Sequence, residues 1–180
     1  MSRYIAFLRA INVGGHTVKM DYLRQLFEAM DFTRVETFIA SGNVILDSNA
    51  TNLTTLEKKI AKHLHKELGY EVATFIRTPI ELAAISTVQP FPKATFEAAA
   101  AFNIAFLAEP PSPAATAKLL ALKNDIDDFH VQGREVYWLC RVKQSESKFS
   151  NVVLEKTLGQ AATFRGAKTI VKLAELHGAK

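Results

Sequence analysis

In the first 78 residues, continuous apolar runs alternate with segments in which apolar residues recur every three or four positions. A short apolar run ending in a glycine-containing loop is typical of a buried strand, and spacings of three and four residues are typical of an amphipathic helix. Gly69 stands where a helix would end in the left-handed conformation. The order is βαββαβ, a ferredoxin-like unit. Strands are predicted at about 4–8, 35–39, 44–46 and 71–77, and helices at about 19–30 and 53–68.

The second half of the chain repeats this order of elements. Thr78 and Glu81 form a capping box with Pro79 at the first helical position, so a short helix is predicted in a connector over 79–101. We therefore predict an α+β fold of two ferredoxin-like lobes, at 1–78 and 102–180, inferred from element order rather than residue identity. In the second lobe, strands are predicted at 102–108, 129–131, 135–142 and 162–164, and helices at 113–123, 152–158 and 167–177.

Composition places the chain among ordinary globular proteins. It has 180 residues, of which 48% are apolar and 22% charged, and Cys140 is the single cysteine. One cysteine forms no internal disulfide, which favours a reducing compartment. No apolar run reaches the ~18 residues that a membrane helix needs, and the start lacks a secretory signal. We expect a cytoplasmic protein with no membrane association.

Positive charge is concentrated near the C-terminus. The net charge is 22 − 18 = +4, and residues 141–180 contribute 8 − 3 = +5 of it. A basic segment of this kind suits phosphates, RNA or an acidic partner, and it equally suits a solvated helical surface.

Polar residues and glycines converge at one edge of the first predicted sheet. The right-handed crossover makes the first two strands parallel, so the loops that follow them lie at the same edge. In the usual strand order the third strand lies beside the first, which brings these loops together. The residues concerned are Arg9, Asn12, Gly14 and Gly15 in one loop, and Ser41, Gly42 and Asn43 in the other.

This convergence predicts a site for an anion. Glycines let the backbone approach a ligand closely, loop N–H groups favour negative charge, and arginine suits carboxylate or phosphate. Each signal also has a plain structural reading, as a turn or a hairpin residue. The glycine spacing is neither the dinucleotide-binding fingerprint nor a P-loop.

Other candidate residues are weaker. His63 and His65 diverge around a helix, so no metal site is expected, and Ser41 has only His16 as a candidate base. Arg77 ends the fourth strand, at the edge opposite Arg9. Cys140 is interpreted as a small core residue, while Arg165, Lys168 and Thr169 open the last helix in an arrangement that favours anions.

The chain resembles the bacterial family called domain of unknown function 1697 (DUF1697). The resemblance is carried by residues 4–15, 32–44, 75–78 and 163–169. It implies ferredoxin-like lobes without an assigned activity. It places these residues among the recurrent motif positions: Arg9, Asn12, Gly14, Gly15, Ser41, Gly42, Asn43, Arg77 and Arg165.

The sequence departs from the family pattern at several positions. Ala10 and Asp31 replace the usual glycines, and Gln89 replaces an asparagine. Residues 166–168 read Gly-Ala-Lys where the family has Asn-Trp-Asn, so any site that this motif completes is altered.

The function predicted from the sequence is binding of a small phosphate- or nucleotide-like anion at residues 9–16 and 41–43, with no cofactor expected. The sequence identifies no catalytic residue and does not decide whether the protein is an enzyme. RNA binding is one alternative, but Phe7 is the one aromatic residue suited to base stacking on the central strands. A non-catalytic homodimeric module is the other.

Overall fold

The computed structural model describes residues 1–12 and 14–180. The chain divides into two compact units, one formed by Met1–Ala83 with Leu173–Lys180 and the other by Ala84–Lys172. The first unit contains strands β1 (Ser2–Leu8), β2 (Thr33–Phe38), β3 (Asn43–Ser48) and β4 (Thr74–Arg77), with helices α1 (Met20–Glu28) and α2 (Leu53–Leu68).

The elements that follow include the second unit's sheet, while the helices Pro79–Thr87 and Ala167–His177 each contribute residues to both units. Helix α4 and the 3₁₀ helix were not predicted from the sequence, whereas the last strand and helix were. These elements are α3 (Pro79–Thr87), α4 (Lys93–Glu97), β5 (Ala101–Leu107), α5 (Pro113–Leu120), β6 (Asp127–Gln132), β7 (Glu135–Cys140), a 3₁₀ helix (Gln144–Glu146), α6 (Asn151–Leu158), β8 (Ala162–Gly166) and α7 (Ala167–His177).

Each unit has a four-stranded antiparallel sheet with the ferredoxin-like strand order. The orders are β2-β3-β1-β4 and β6-β7-β5-β8. Since β3 is antiparallel to both β1 and β2, those two strands run parallel to each other. The predicted α+β fold with two βαββαβ lobes is confirmed.

Helices cover one face of the first sheet. Tyr4, Ala6 and Leu8 of β1 belong to the core under α1 and α2. The alternate residues Ile5 and Phe7 point to the opposite face and are also fully buried. Burial on both faces explains why β1 is an uninterrupted apolar run.

Local signals in the sequence account for the helix ends. The Asn52 side chain accepts a hydrogen bond from the Thr55 amide at the start of α2, and Gly69 ends that helix with φ +80°. At the start of α3, the Thr78 amide donates to Glu81 Oε2 over 2.8 Å and the Glu81 amide donates to Thr78 Oγ1 over 3.2 Å. The predicted capping box is therefore confirmed.

The pairing of strands within each sheet places residues of the two units at equivalent positions. Ile5 pairs with Arg77 and Ile104 pairs with Arg165. The central strands β1 and β5 share the tetrapeptide Ile-Ala-Phe-Leu, at 5–8 and 104–107. The halves thus carry a short sequence repeat that the element order alone did not identify.

Candidate functional site

The two predicted loops leave the first sheet side by side. Phe7 at the end of β1 pairs with Asn43 at the start of β3. The Leu8 amide extends this pairing by donating to the Gly42 carbonyl over 2.9 Å. We call residues 9–12, 14–16 and 40–43 the loop edge.

Asn12 joins the two loops through its side chain. Its Nδ2 donates to the Ala40 carbonyl over 2.9 Å, and its Oδ1 accepts from the Val18 amide over 2.7 Å. Both polar atoms are thus used within the protein, so Asn12 fixes the path of the first loop between β1 and α1.

Gly42 lies where the loops are packed most tightly. A Cβ atom at this position would lie 2.8 Å from Ile11 Cγ2 and 3.1 Å from Leu8 Cβ, and its φ is +77°. Only glycine combines this backbone conformation with so close a contact. Ile11 is 2% exposed and serves as the apolar floor of the loop edge.

Asn43 is fully buried and stabilises its own hairpin. Its Nδ2 donates to the Phe38 carbonyl and to Ser41 Oγ, each over 2.9 Å. Because Ser41 Oγ accepts this bond, its hydroxyl proton is directed to another acceptor. Ser41 is partly exposed.

Gly14 and Gly15 form the open part of the loop edge. Both are exposed, with φ of +64° and +83°. Among residues 1–12 and 14–180, no heavy atom outside the neighbouring residues lies within 4 Å of the position of a Cβ on either glycine. The described part of the chain therefore leaves this backbone open to a ligand.

Arg9 and Ala10 begin the loop. Arg9 is partly buried, and its amide donates to the Ala73 carbonyl over 2.9 Å. Ala10 has φ +54°, in the left-handed region that favours glycine. Glycine would adopt this conformation at lower cost, which agrees with the glycine that the family resemblance implies here.

Tyr70, two residues beyond the end of α2, supports the loop. The Tyr70 hydroxyl donates to the Ile11 carbonyl over 3.2 Å, and the His16 ring stacks on the Tyr70 ring with centroids 3.8 Å apart. Burial raises the pKa of Tyr70. Ile11 and Tyr70 were not among the predicted site residues, because apolar runs and helix ends give no sign of a loop contact.

Arg77 and Arg165 lie within their own sheets. Arg77 is fully buried and pairs with Ile5. Ile5 lies three positions before Leu8, the last residue of β1 ahead of the loop edge. It donates to the Ile76 carbonyl over 2.9 Å.

Arg165 occupies the matching position in the second unit. It donates to Thr163 Oγ1 over 2.8 Å, and burial lowers its pKa to about 10, so it stays charged at neutral pH. Lys168 and Thr169 are in the first turn of α7, as predicted.

The matching edge of the second unit has different chemistry. Leu107 donates to the Arg134 carbonyl over 2.9 Å, as Leu8 does to Gly42. Glu135 replaces Asn43 in the register, and the loop after β5 is Ala108-Glu109-Pro110-Pro111. The open glycine pair and the arginine at its base therefore belong to the first unit's edge.

The remaining sequence predictions concern Cys140, Phe7, metal binding and membrane-spanning helices. Cys140 is fully buried, as predicted for a core residue, and Phe7 is also fully buried. Over residues 1–12 and 14–180, no group of three or more His, Cys, Asp or Glu side chains is arranged to hold a metal ion. No helix in this part of the chain has the length and apolar character needed to cross a bilayer.

Comparison with known proteins identifies a family but no activity. The chain is similar over 97% of its length, and 98% of the other, to a conserved bacterial protein, SP0830 from Streptococcus pneumoniae, with a TM-score of 0.76 and 23% identity. This likeness concerns the fold. No curated protein matches the chain. The model of the family "Protein of unknown function (DUF1697)" matches residues 1–137, and the chain therefore belongs to that family.

Proposed function

We propose that the loop edge binds a small anionic ligand of the phosphate or nucleotide type. The observation that carries this proposal is the exposed pair Gly14 and Gly15, whose left-handed backbone has open space where side chains would otherwise stand. Backbone amides in such a loop attract anions, and the lack of Cβ atoms lets an oxyanion come within hydrogen-bonding distance.

The polar residues of the loop edge divide into two roles in this proposal. Arg9, the glycine pair and the Ser41 hydroxyl supply contacts, with Arg9 giving the positive charge and geometry suited to two oxygens. Asn12 and Asn43 hold the loops in place, since their side chains already bond to Ala40, Val18, Phe38 and Ser41. The contact set does not require Arg77 or Arg165.

The contrast between the two units supports a site in the first. The corresponding edge of the second unit carries Glu109 and Glu135, and Pro110 and Pro111 have no N–H to donate. The second edge also has Gly133 and Arg134, but an anion would meet carboxylates there, whereas residues 9–12, 14–16 and 40–43 include no acidic residue. The proposal therefore rests on residues that differ between the two units and not on the strand order that the units share.

The RNA-binding alternative has less support. Recognition by a sheet of this strand order uses exposed aromatic residues for base stacking. Phe7 is 0% exposed, as is Ile45 on the neighbouring strand. The homodimer alternative stays a prediction that static light scattering tests.

Calorimetric titration with inorganic phosphate, pyrophosphate and a nucleoside triphosphate tests the proposal. We expect saturable binding of at least one of these probes, weakened about tenfold or more in Arg9→Ala, the loss expected for one charge-assisted contact. Arg24→Ala is the matched control, because Arg24 is an exposed arginine on α1. Equal weakening in both variants, or no binding of any probe, would contradict the proposal.

A further inference from the structure

A second concave surface in the first unit lies away from the loop edge, between the turn after α1 and the exposed side of α2. It encloses about 720 Å³. That volume lies within the range of about 300–1,000 Å³ typical of small-molecule sites. We call it the α2 groove, and its lining residues are Ala29, Met30, Asp31, Lys59, Lys62, His63, His65 and Lys66.

The α2 groove is strongly basic on its helical wall. Lys59, Lys62 and Lys66 are spaced by three and four residues, so they lie on one face of α2. The stripe extends about 10 Å at 1.5 Å per residue. Asp31 is the one carboxylate in the lining, so positive charge is in excess.

Lys59 is already engaged in holding the groove together. Its Nζ donates to the Met30 carbonyl over 3.1 Å and lies 4.9 Å from the centre of the Phe32 ring. This contact joins α2 to the turn after α1 and places a cation against the carbonyl end of α1. Lys59 is therefore part of the wall.

Lys62 and Lys66 are exposed. Within residues 1–12 and 14–180, neither has an acidic side chain within ion-pairing distance. His63 lies between them on the same helix face, and its buried Nε2 has no hydrogen-bond partner. Because Nε2 has no accessible surface, a ligand in the groove would contact the exposed ammonium groups of Lys62 and Lys66 instead.

The floor of the groove is apolar. Ala29 and Met30 contribute it, together with the methylene stems of the lysines. An inorganic ion would contact the ammonium groups and leave this floor uncovered. The groove thus matches a molecule with both an anionic group and an apolar body.

We propose that the α2 groove binds an organic phosphate monoester with an apolar body. Its phosphate contacts the Nζ atoms of Lys62 and Lys66, and its apolar body lies against Ala29 and Met30. This site is separate from the loop edge, and it stands or falls independently of the function proposed there.

Titration with phenyl phosphate, monitored by amide chemical shifts, tests the proposal. We expect saturable shifts at Met30 and His63, and binding at least tenfold tighter than that of inorganic phosphate or of benzyl alcohol. Equal binding of phenyl phosphate and inorganic phosphate would overturn the role of the apolar floor, and equal binding of benzyl alcohol would overturn the role of charge.

Variants separate a built site from general surface charge. Lys62→Ala and Lys66→Ala are each expected to weaken phenyl phosphate binding about tenfold, and Asp31→Asn to strengthen it. Lys58→Ala is the matched control, since Lys58 is exposed on α2 but does not line the groove. Weakening by Lys58→Ala equal to that by Lys62→Ala would overturn the proposal, as would undiminished binding in both groove variants. Arg9→Ala is expected to leave this binding unchanged, which distinguishes the two sites.

Discussion

The side-chain amide of Asn12 donates to the main-chain carbonyl of Ala40, 28 residues later, over 2.9 Å. This bond crosses between the loop after β1 and the hairpin before β3. The same side chain accepts from the Val18 amide over 2.7 Å. Asn12 therefore determines both where the first loop lies and how it enters α1.

Two substitutions of Asn12 distinguish the contributions of its two hydrogen bonds to stability. We expect Asn12→Ala to lower the free energy of unfolding by about 1–3 kcal/mol, because two hydrogen bonds of about 0.5–1.5 kcal/mol each are lost. Asn12→Asp keeps the acceptor for the Val18 amide and loses the donor to the Ala40 carbonyl. We therefore expect it to lower the free energy of unfolding by less than Asn12→Ala does. Urea denaturation checks both variants, and equal stability of Asn12→Ala and the unmodified protein would contradict this role.

Gly42 and Gly14 differ in their surroundings, although both have positive φ. Gly42→Ala places a methyl group 2.8 Å from Ile11 Cγ2 in addition to the backbone strain, and we expect a loss of about 2–4 kcal/mol. Gly14→Ala places its methyl group more than 4 Å from the described residues beyond its chain neighbours, so a loss of only about 1 kcal/mol is expected. Denaturation of the two variants under the same conditions makes the comparison. Equal losses would show that Ile11 does not pack on Gly42.

Ala10 and Asp31 occupy left-handed positions, with φ of +54° and +65°. Ala10→Gly and Asp31→Gly relieve this strain, and each is expected to stabilise the protein by about 0.5–1 kcal/mol. Ala29→Gly is the control, since Ala29 has φ −65° and glycine there only adds flexibility. Thermal denaturation is the measurement, and destabilisation by Ala10→Gly would contradict the assigned backbone conformation.

His177 makes stability depend on pH. Burial lowers its pKa, and the nearby Arg3 also lowers it, although Glu36 acts in the opposite direction. Because the unfolded chain then takes up the proton more readily than the folded protein, stability falls as pH drops below about 6.5. His177→Gln is expected to reduce this dependence, measured by denaturation between about pH 5 and 7. His65→Gln changes an exposed histidine instead, and an equal effect from it would contradict the interpretation.

Much of the fold is predictable from local patterns. Helix α2 has the predicted bounds because its apolar spacing, the Asn52 cap and Gly69 all agree. Helix α4 was missed, since Lys93–Glu97 is short and none of its residues is buried. The start of β2 was misplaced because Arg34 has φ +46° at a register irregularity, which no propensity signals.

The candidate site is predictable only in outline. Chain topology brings the loops together, as the pairing of Phe7 with Asn43 requires. It does not specify which side chains are used internally. From the sequence, Asn12 and Asn43 were candidate ligand contacts, with a turn-stabilising role as the alternative for Asn43. Their amides bond to the main chain, and the Asn12 bond to Ala40 depends on the folded loops. The α2 groove was also missed, because its turn and its helix are separate in sequence.

We propose that the open glycines of the loop edge receive an anion. Titration of ¹⁵N-labelled protein with pyrophosphate reports on each backbone amide of that edge separately. We expect saturable shifts at Gly14, Gly15 and Ser41, requiring about tenfold more pyrophosphate in Arg9→Ala, with Gly133 and Arg134 at the second unit's edge unmoved. Shifts of equal size at both edges, or none at the two glycines, would contradict the account.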